Sequence, residues 1–175
     1  MIARPASAEY LPMASTYVKL VPEGQNPLEQ LRGQSAILKE LLVTLTDEQA
    51  LTRYAPGKWS IKESLVHMID TERIFAYRAL RIGRGDQTPL PGFDQDTYVP
   101  NSGADARPLT DIWREYDTVR AATLSLFDSF TSDVYDKTGN ASGHALSLRA
   151  LAHMIPGHEA HHINIFRDRY LPALV

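Results

Sequence analysis

Apolar residues recur at the spacing of one helical face in four separate stretches, and almost nothing alternates as a strand would. That pattern restricts the fold of this chain more than any other feature. In the first stretch Leu28, Leu31, Ile37, Leu38, Leu41, Leu42 and Leu45 line one face, after Asn26 as a cap and Pro27 at the first helical position. A short second piece begins at Thr46-Asp47-Glu48-Gln49 and ends at Pro56-Gly57. The second long helix opens on Ser60-Ile61-Lys62-Glu63, a capping box, and runs to about Ile82, where Gly83 and Gly85 stop it. The third begins near Thr110-Asp111 and carries Ile112, Trp113, Tyr116, Val119, Leu124 and Phe127. The fourth runs from near Ser147 to about Tyr170, with a kink expected at Pro156-Gly157.

Three stretches lack a sustained period. Residues 1–26 hold Pro5, Pro12, Pro22 and Gly24 and read as an extended arm that packs on the rest. Residues 83–108 form a connection long enough to cross a bundle, so the second and third helices need not be antiparallel neighbours. Residues 131–146 read as a polar loop or a short hairpin. The expectation is an all-α four-helix bundle over residues 27–175, preceded by the arm over 1–26.

Composition removes several functions. The chain has 175 residues, enough for one domain with a proper core. No cysteine is present, which excludes disulfides, thiolate metal sites and a cysteine nucleophile. A net charge of −3 without a basic run argues against nucleic acid as a partner. No apolar run reaches membrane-spanning length and no signal-like segment opens the chain, so the cytoplasm is the default location.

Chemistry concentrates in the histidines. Four of the six fall between His153 and His162. His158 and His162 are four residues apart, so both project from one helical face and can grip one ion. His161, three residues from His158, competes with His162 for that role on spacing alone. His67 lies on a face of the second helix that also carries Ile74 and Phe75, hence inside the bundle, where it is a buried polar group or a third ligand. Three neutral imidazoles leave open coordination positions, the pattern of a catalytic rather than a structural site, and Zn, Ni, Fe and Mn all accept them. His153 reads as a surface or supporting residue, and His144 as solvent-exposed. Asp70 either serves as a general base or pairs with Arg73. Glu159 and Glu63 are further carboxylates near the site, Glu63 already explained by capping. Arg78 either binds an anionic substrate or closes a buried ion pair.

Trp59-Ser60-Ile61-Lys62-Glu63, then His67 with Asp70, Glu72 and Arg78, then Gly157-His158-Glu159-Ala160-His161-His162, together resemble the DinB/YfiT-like superfamily over roughly residues 27–170. Leu90-Pro91-Gly92-Phe93-Asp94 resembles the crossover of many members. The resemblance implies an up-down-down-up bundle, often a homodimer, with one metal at one end on His67, His158 and His162, and it selects His162 over His161. It also implies a metal-dependent hydrolase, or a transferase or isomerase that uses a low-molecular-weight thiol such as mycothiol, bacillithiol or glutathione, acting on a small molecule. The alternative function is a non-catalytic metal-binding or interaction module.

Overall fold

A computed structural model describes residues 1–174. Four long helices carry the fold: α2 (Pro27–Leu42), α3 (Ile61–Gly83), α5 (Leu109–Asp128) and α6 (Leu148–Ile165). Short helices α1 (Ser15–Val18) and α4 (Gln95–Asn101) lie in the arm and the crossover, and strands β1 (Thr138–Ala141) and β2 (His144–Ser147) pair as an antiparallel hairpin.

The direction of each long helix follows from which residues meet. Arg32 pairs with Asp128 and Lys39 with Asp117, so α2 and α5 are antiparallel. Lys62 reaches the carbonyl of Arg107, Arg73 reaches Glu115, and Gly83 packs against Phe130, so α3 and α5 run side by side in the same direction. Ser64, at the start of α3, meets Tyr170 just beyond the end of α6, so these two are antiparallel. The result is the up-down-down-up bundle that the family resemblance implies and the crossover length permits, and the hairpin is its small exception to an all-α fold.

Helix starts obey local chemistry. Asn26 accepts the amide of Leu28, Ser147 that of Ala150, and Ser60 that of Glu63 while Glu63 reaches back to the Ser60 amide. The start of α5 differs from expectation. It begins at Leu109, and its cap comes from elsewhere in the chain: the Leu109 amide donates to Asp47 Oδ1 at 2.7 Å. A side chain distant in sequence thus satisfies a donor that Pro108 cannot cap. Helix α6 carries Pro156 inside it, as the sequence reading placed it, and a π-helical turn follows over Phe166–Tyr170.

The arm is not extended. It folds into short helical turns that bury Ala14, Val18 and Val21 against the bundle. Arg4 donates to the carbonyls of Val18 and Val21, which closes the arm on itself. Arg149 at the start of α6 holds Glu9, whose pKa falls to about 2 chiefly through that bond. The stretch from 131 to 146 resolves as a 3-10 turn and then the hairpin, whose turn places Ser142 and Gly143 at positive φ. Leu90 of the crossover bonds Asn140 of β1 and Ser142 of the turn, a parallel bridge beside Ala141 that makes crossover and hairpin one wall. Val175, last residue of the expected bundle domain, lies outside the described residues. No helix among them is long and apolar enough to cross a membrane.

The arm docks where α6 has no side chain. A Cβ at Gly157 would stand 2.0 Å from the carbonyl oxygen of Tyr17, and that neighbour is backbone. Gly157→Ala is therefore expected to cost about 1–3 kcal/mol and to loosen the arm. Urea unfolding and proteolysis near Tyr17 check this; unchanged stability with unchanged cleavage would show that the arm does not pack there.

Candidate metal centre

Helix α3 presents His67 and α6 presents His158 and His162, all three buried. Their Nε2 atoms converge: His158 Nε2 lies 3.1 Å from that of His67 and 3.1 Å from that of His162. Each offers one ring nitrogen, and these all lie within 4.8 Å of one another. Tetrahedral imidazole ligands at roughly 2.0–2.1 Å from a zinc ion would stand about 3.3 Å apart, so the spacing suits one ion. The donor chemistry suits it too. Burial, with the neighbouring His161 adding to it, takes the His67 pKa down to about 4. Burial first, then mutual repulsion, pushes His158 and His162 well below the ordinary imidazole value. All three are neutral at pH 7, the form that binds a metal.

The surroundings hold the rings in place. Tyr17 from the arm packs edge-on against His158 at 5.1 Å, and Trp59, just before α3, lies 4.8 Å from His67. His161 is half-exposed, meets Tyr17 and His162 edge-on, and lies outside the converging set. His153, read from the sequence as a surface or supporting residue, is buried and bonds the carbonyl of Arg149 one turn back. His144 is exposed on β2, as expected. Asp70 faces Arg73 at 3.6 Å and borders neither cavity described below, which is its ion-pair alternative.

Glu159 turns away from the histidines. It accepts from Tyr116 Oη and, at 2.7 Å, from Arg120 Nη2. Arg120 also holds Glu72 at 2.8 Å, the Leu31 carbonyl at 3.0 Å and Ser35 Oγ at 3.1 Å. Burial raises the Glu159 pKa against the opposing pull of Arg120, and burial and Glu159 raise that of Tyr116. For Arg120, burial opposes the charge but the carboxylates of Glu159 and Glu72 outweigh it. Sequence reasoning missed Arg120 and Tyr17. A signal existed for the first: Trp113, Tyr116, Arg120 and Phe127 share one helical stripe, so a charge stood on an apolar face. No signal placed Tyr17, because its position depends on how the arm docks.

Two cavities meet at the triad. One, of about 340 Å³, is bordered by His67, Thr71, Phe75, Arg78, Phe93 and His158, with mainly apolar neighbours. The other, of about 310 Å³, is bordered by Lys58, Trp59, His67, His161, His162 and Tyr170. His67, Tyr17, Gln95 and Asp96 border both. Three buried nitrogens bordered by two accessible spaces form a group that could hold a metal ion, set within a four-helix bundle.

The chain belongs to the DinB superfamily, whose family model matches residues 30–166. A curated relative from Oceanobacillus iheyensis is 25% identical over 138 residues, which cover 78% of this chain and 79% of that protein; its name provisionally assigns a metal-dependent hydrolase. The solved structure of YfiT from Bacillus subtilis superposes with a TM-score of 0.73 at 15% identity, over 95% of this chain and 90% of that one. It is described, again provisionally, as a metal-dependent hydrolase with an unusual four-helix bundle topology.

Two expectations follow. Above about pH 6.5 neither folded nor unfolded protein protonates these histidines. Below it the unfolded chain takes up protons that the folded one refuses, so metal-free protein should lose stability as pH falls from 6.5 toward 4. Each histidine contributes up to about 1.4 kcal/mol per pH unit. Urea midpoints across that range should fall more steeply for the parent than for His158→Phe; equal slopes would contradict neutral burial. Separately, Arg120→Met leaves Glu72 and Glu159 buried without their cation and should cost about 3–5 kcal/mol in urea unfolding. A loss under about 1 kcal/mol would mean the network contributes little.

Proposed function

We propose that this protein is a metal-dependent enzyme acting on a small molecule, with one divalent transition ion (Zn, Ni, Fe or Mn) held by His67, His158 and His162. The observation that carries this reading is the convergence of three neutral Nε2 atoms on a point bordered by two cavities. The provisional hydrolase names of two relatives agree with it. An ion bound there supplies Lewis acidity toward an oxygen of the substrate.

The chain's own groups do the rest. Tyr17, Phe75 and Phe93 give the 340 Å³ cavity apolar walls. Trp59 and Tyr17 fix the ring planes of His67 and His158. For hydrolysis the proton of the attacking water goes to a carboxylate and from there to the leaving group. Asp96 takes that role in place of Asp70, because it borders both cavities and Asp70 borders neither.

A second reading has support from the paired cavities. Two spaces sharing one triad suit a reaction of two reactants, such as transfer from a low-molecular-weight thiol to an electrophile. With no cysteine in the chain, the thiol comes from the small molecule. A homodimer accompanies either reading by family resemblance, and sedimentation checks it; the cytoplasm is the default location proposed from the sequence.

Elemental analysis should find about one metal per chain in the parent and a large loss in the His158→Ala, His162→Ala double variant. With metal loaded, p-nitrophenyl acetate should be hydrolysed without thiol, and Asp96→Asn should slow turnover about 100-fold while Asp70→Asn leaves it unchanged. Turnover that appears only on adding a thiol selects the transfer reading. No metal uptake from Zn, Ni, Mn or anaerobic Fe sinks both.

A further inference from the structure

Two arginines are buried in this bundle, and only one of them has its charge matched. Arg120 is 5% exposed and meets two carboxylates. Arg78 is 6% exposed, and no carboxylate among the described residues lies within ion-pair distance of it. Its protein partners are neutral. One terminal nitrogen, Nη2, donates to the Pro91 carbonyl at 2.8 Å and to Ser142 Oγ at 3.2 Å, and the Phe93 ring lies 5.9 Å from the guanidinium carbon. A guanidinium has five N–H donors and stays charged in proteins, so the Nε and Nη1 donors have no acceptor among the described residues. Burying such a cation unpaired is expensive.

The unmatched charge borders the 340 Å³ cavity whose other end is His67 and His158. Thr71 borders it too. Its Oγ1 is buried and has no hydrogen-bond partner, and the residue is 2% exposed. A threonine in a helix ordinarily satisfies its hydroxyl on the preceding turn, and this one does not. His67, Thr71 and Arg78 follow one stripe of α3, at i, i+4 and i+11. Their Cα atoms span about 16 Å along the axis at 1.5 Å per residue. Phe75, Phe93, Leu146 and Met154 make the walls between them apolar.

We propose that this cavity takes an elongated small molecule with a single carboxylate or similar monoanion at one end, an apolar body, and a polar linkage near the triad. The free N–H donors of Arg78 hold the anion, Thr71 Oγ1 bonds the linkage, and His67 and His158 face the reacting end. The ligand supplies the charge that the fold withholds from Arg78. Asp94 and Asp96 border the same cavity, but both are solvent-exposed, and Asp94 is occupied with the Asp96 amide and Thr97. Solvent and salt screen them more than they screen Arg78, which is 6% exposed and reached only through the cavity. The crossover and the hairpin, joined at Leu90, have the task of supplying Pro91, Phe93 and Ser142 around the guanidinium. This substrate class deepens the enzyme reading above through its cavity and does not depend on the metal.

The test is calorimetric titration of the full-length chain with N-benzoylglycine and with its neutral counterpart N-benzoylglycinamide, in metal-loaded and in chelator-treated protein. The carboxylate should bind at least tenfold more tightly in both forms, the range expected for a charged hydrogen bond. Arg78→Gln should bring the two affinities within about twofold, and Arg78→Lys should restore part of the gap, since lysine keeps the charge without the fork. Thr71→Val should weaken both probes alike and leave their ratio intact. Equal affinity in the parent, or no saturable binding of either probe, overturns the proposal. So does a preference that needs the metal and survives Arg78→Gln, because the carboxylate is then a metal ligand. A preference intact in protein that takes up no metal would sustain this inference and end the metal reading.

Discussion

One guanidinium touches all four long helices, and the site depends on it. Arg120 stands on α5, reaches the Leu31 carbonyl and Ser35 on α2, Glu72 on α3 and Glu159 on α6. Apolar packing is tolerant of small rotations of a helix about its axis, but a charge-assisted fork is not. Glu159 adjoins His158 in sequence, and Glu72 is five residues beyond His67. Fixing where the two carboxylates point therefore fixes where the histidines point. Desolvating three charges has a large cost, and the hydrogen bonds of Arg120 to Glu72, Leu31, Ser35 and Glu159, with the Tyr116 hydroxyl on Glu159, offset it. The gain is rotational registry of α3 against α6, which brings three Nε2 atoms to one point.

The arm and the crossover then finish what the bundle begins. Four helices alone would leave the triad at an open end. Tyr17, carried by the arm into the gap above Gly157, covers His158 and separates the two cavities. The crossover contributes Phe93 and Asp96, and the hairpin gives it an edge to bond. Each segment without helical period turns out to be a wall of the site. Their irregular backbone suits that task, since binding residues are commonly carried on loops positioned by a rigid scaffold.

The contrast between the two buried arginines separates structural from functional polarity in one protein. Arg120 is over-provided with acceptors, and its neighbours gain order. Arg78 is under-provided, and its position on the cavity wall makes the deficit useful to a ligand. Sequence alone treats them poorly. Arg78 is legible as a charge in line with His67, with its partner left open between an anionic substrate and an ion pair. Arg120 is hidden in a stripe read for its apolar residues.

What the sequence by itself determined is local. Periodicity located the four long helices, because an apolar face must be buried whatever it is buried against. Ser60, Glu63, Asn26 and Ser147 set helix starts, because a capping bond spans only two or three residues. The i, i+4 pair of His158 and His162 follows from helical geometry alone. Tertiary structure decided everything that joins distant residues. Spacing alone left His161 beside His162, since both lie within one turn of His158; the family resemblance selected His162, and its convergence with His67 depends on the position of α3. The burial of His153, the partner of Asp70 and the turning of Glu159 toward Arg120 each depend on a neighbouring helix. The cap of α5 by Asp47 and the folding of the arm around Gly157 belong to the same group. Local rules carry no information about such contacts, because their free energy arises only when segments distant in sequence exclude water from a shared surface.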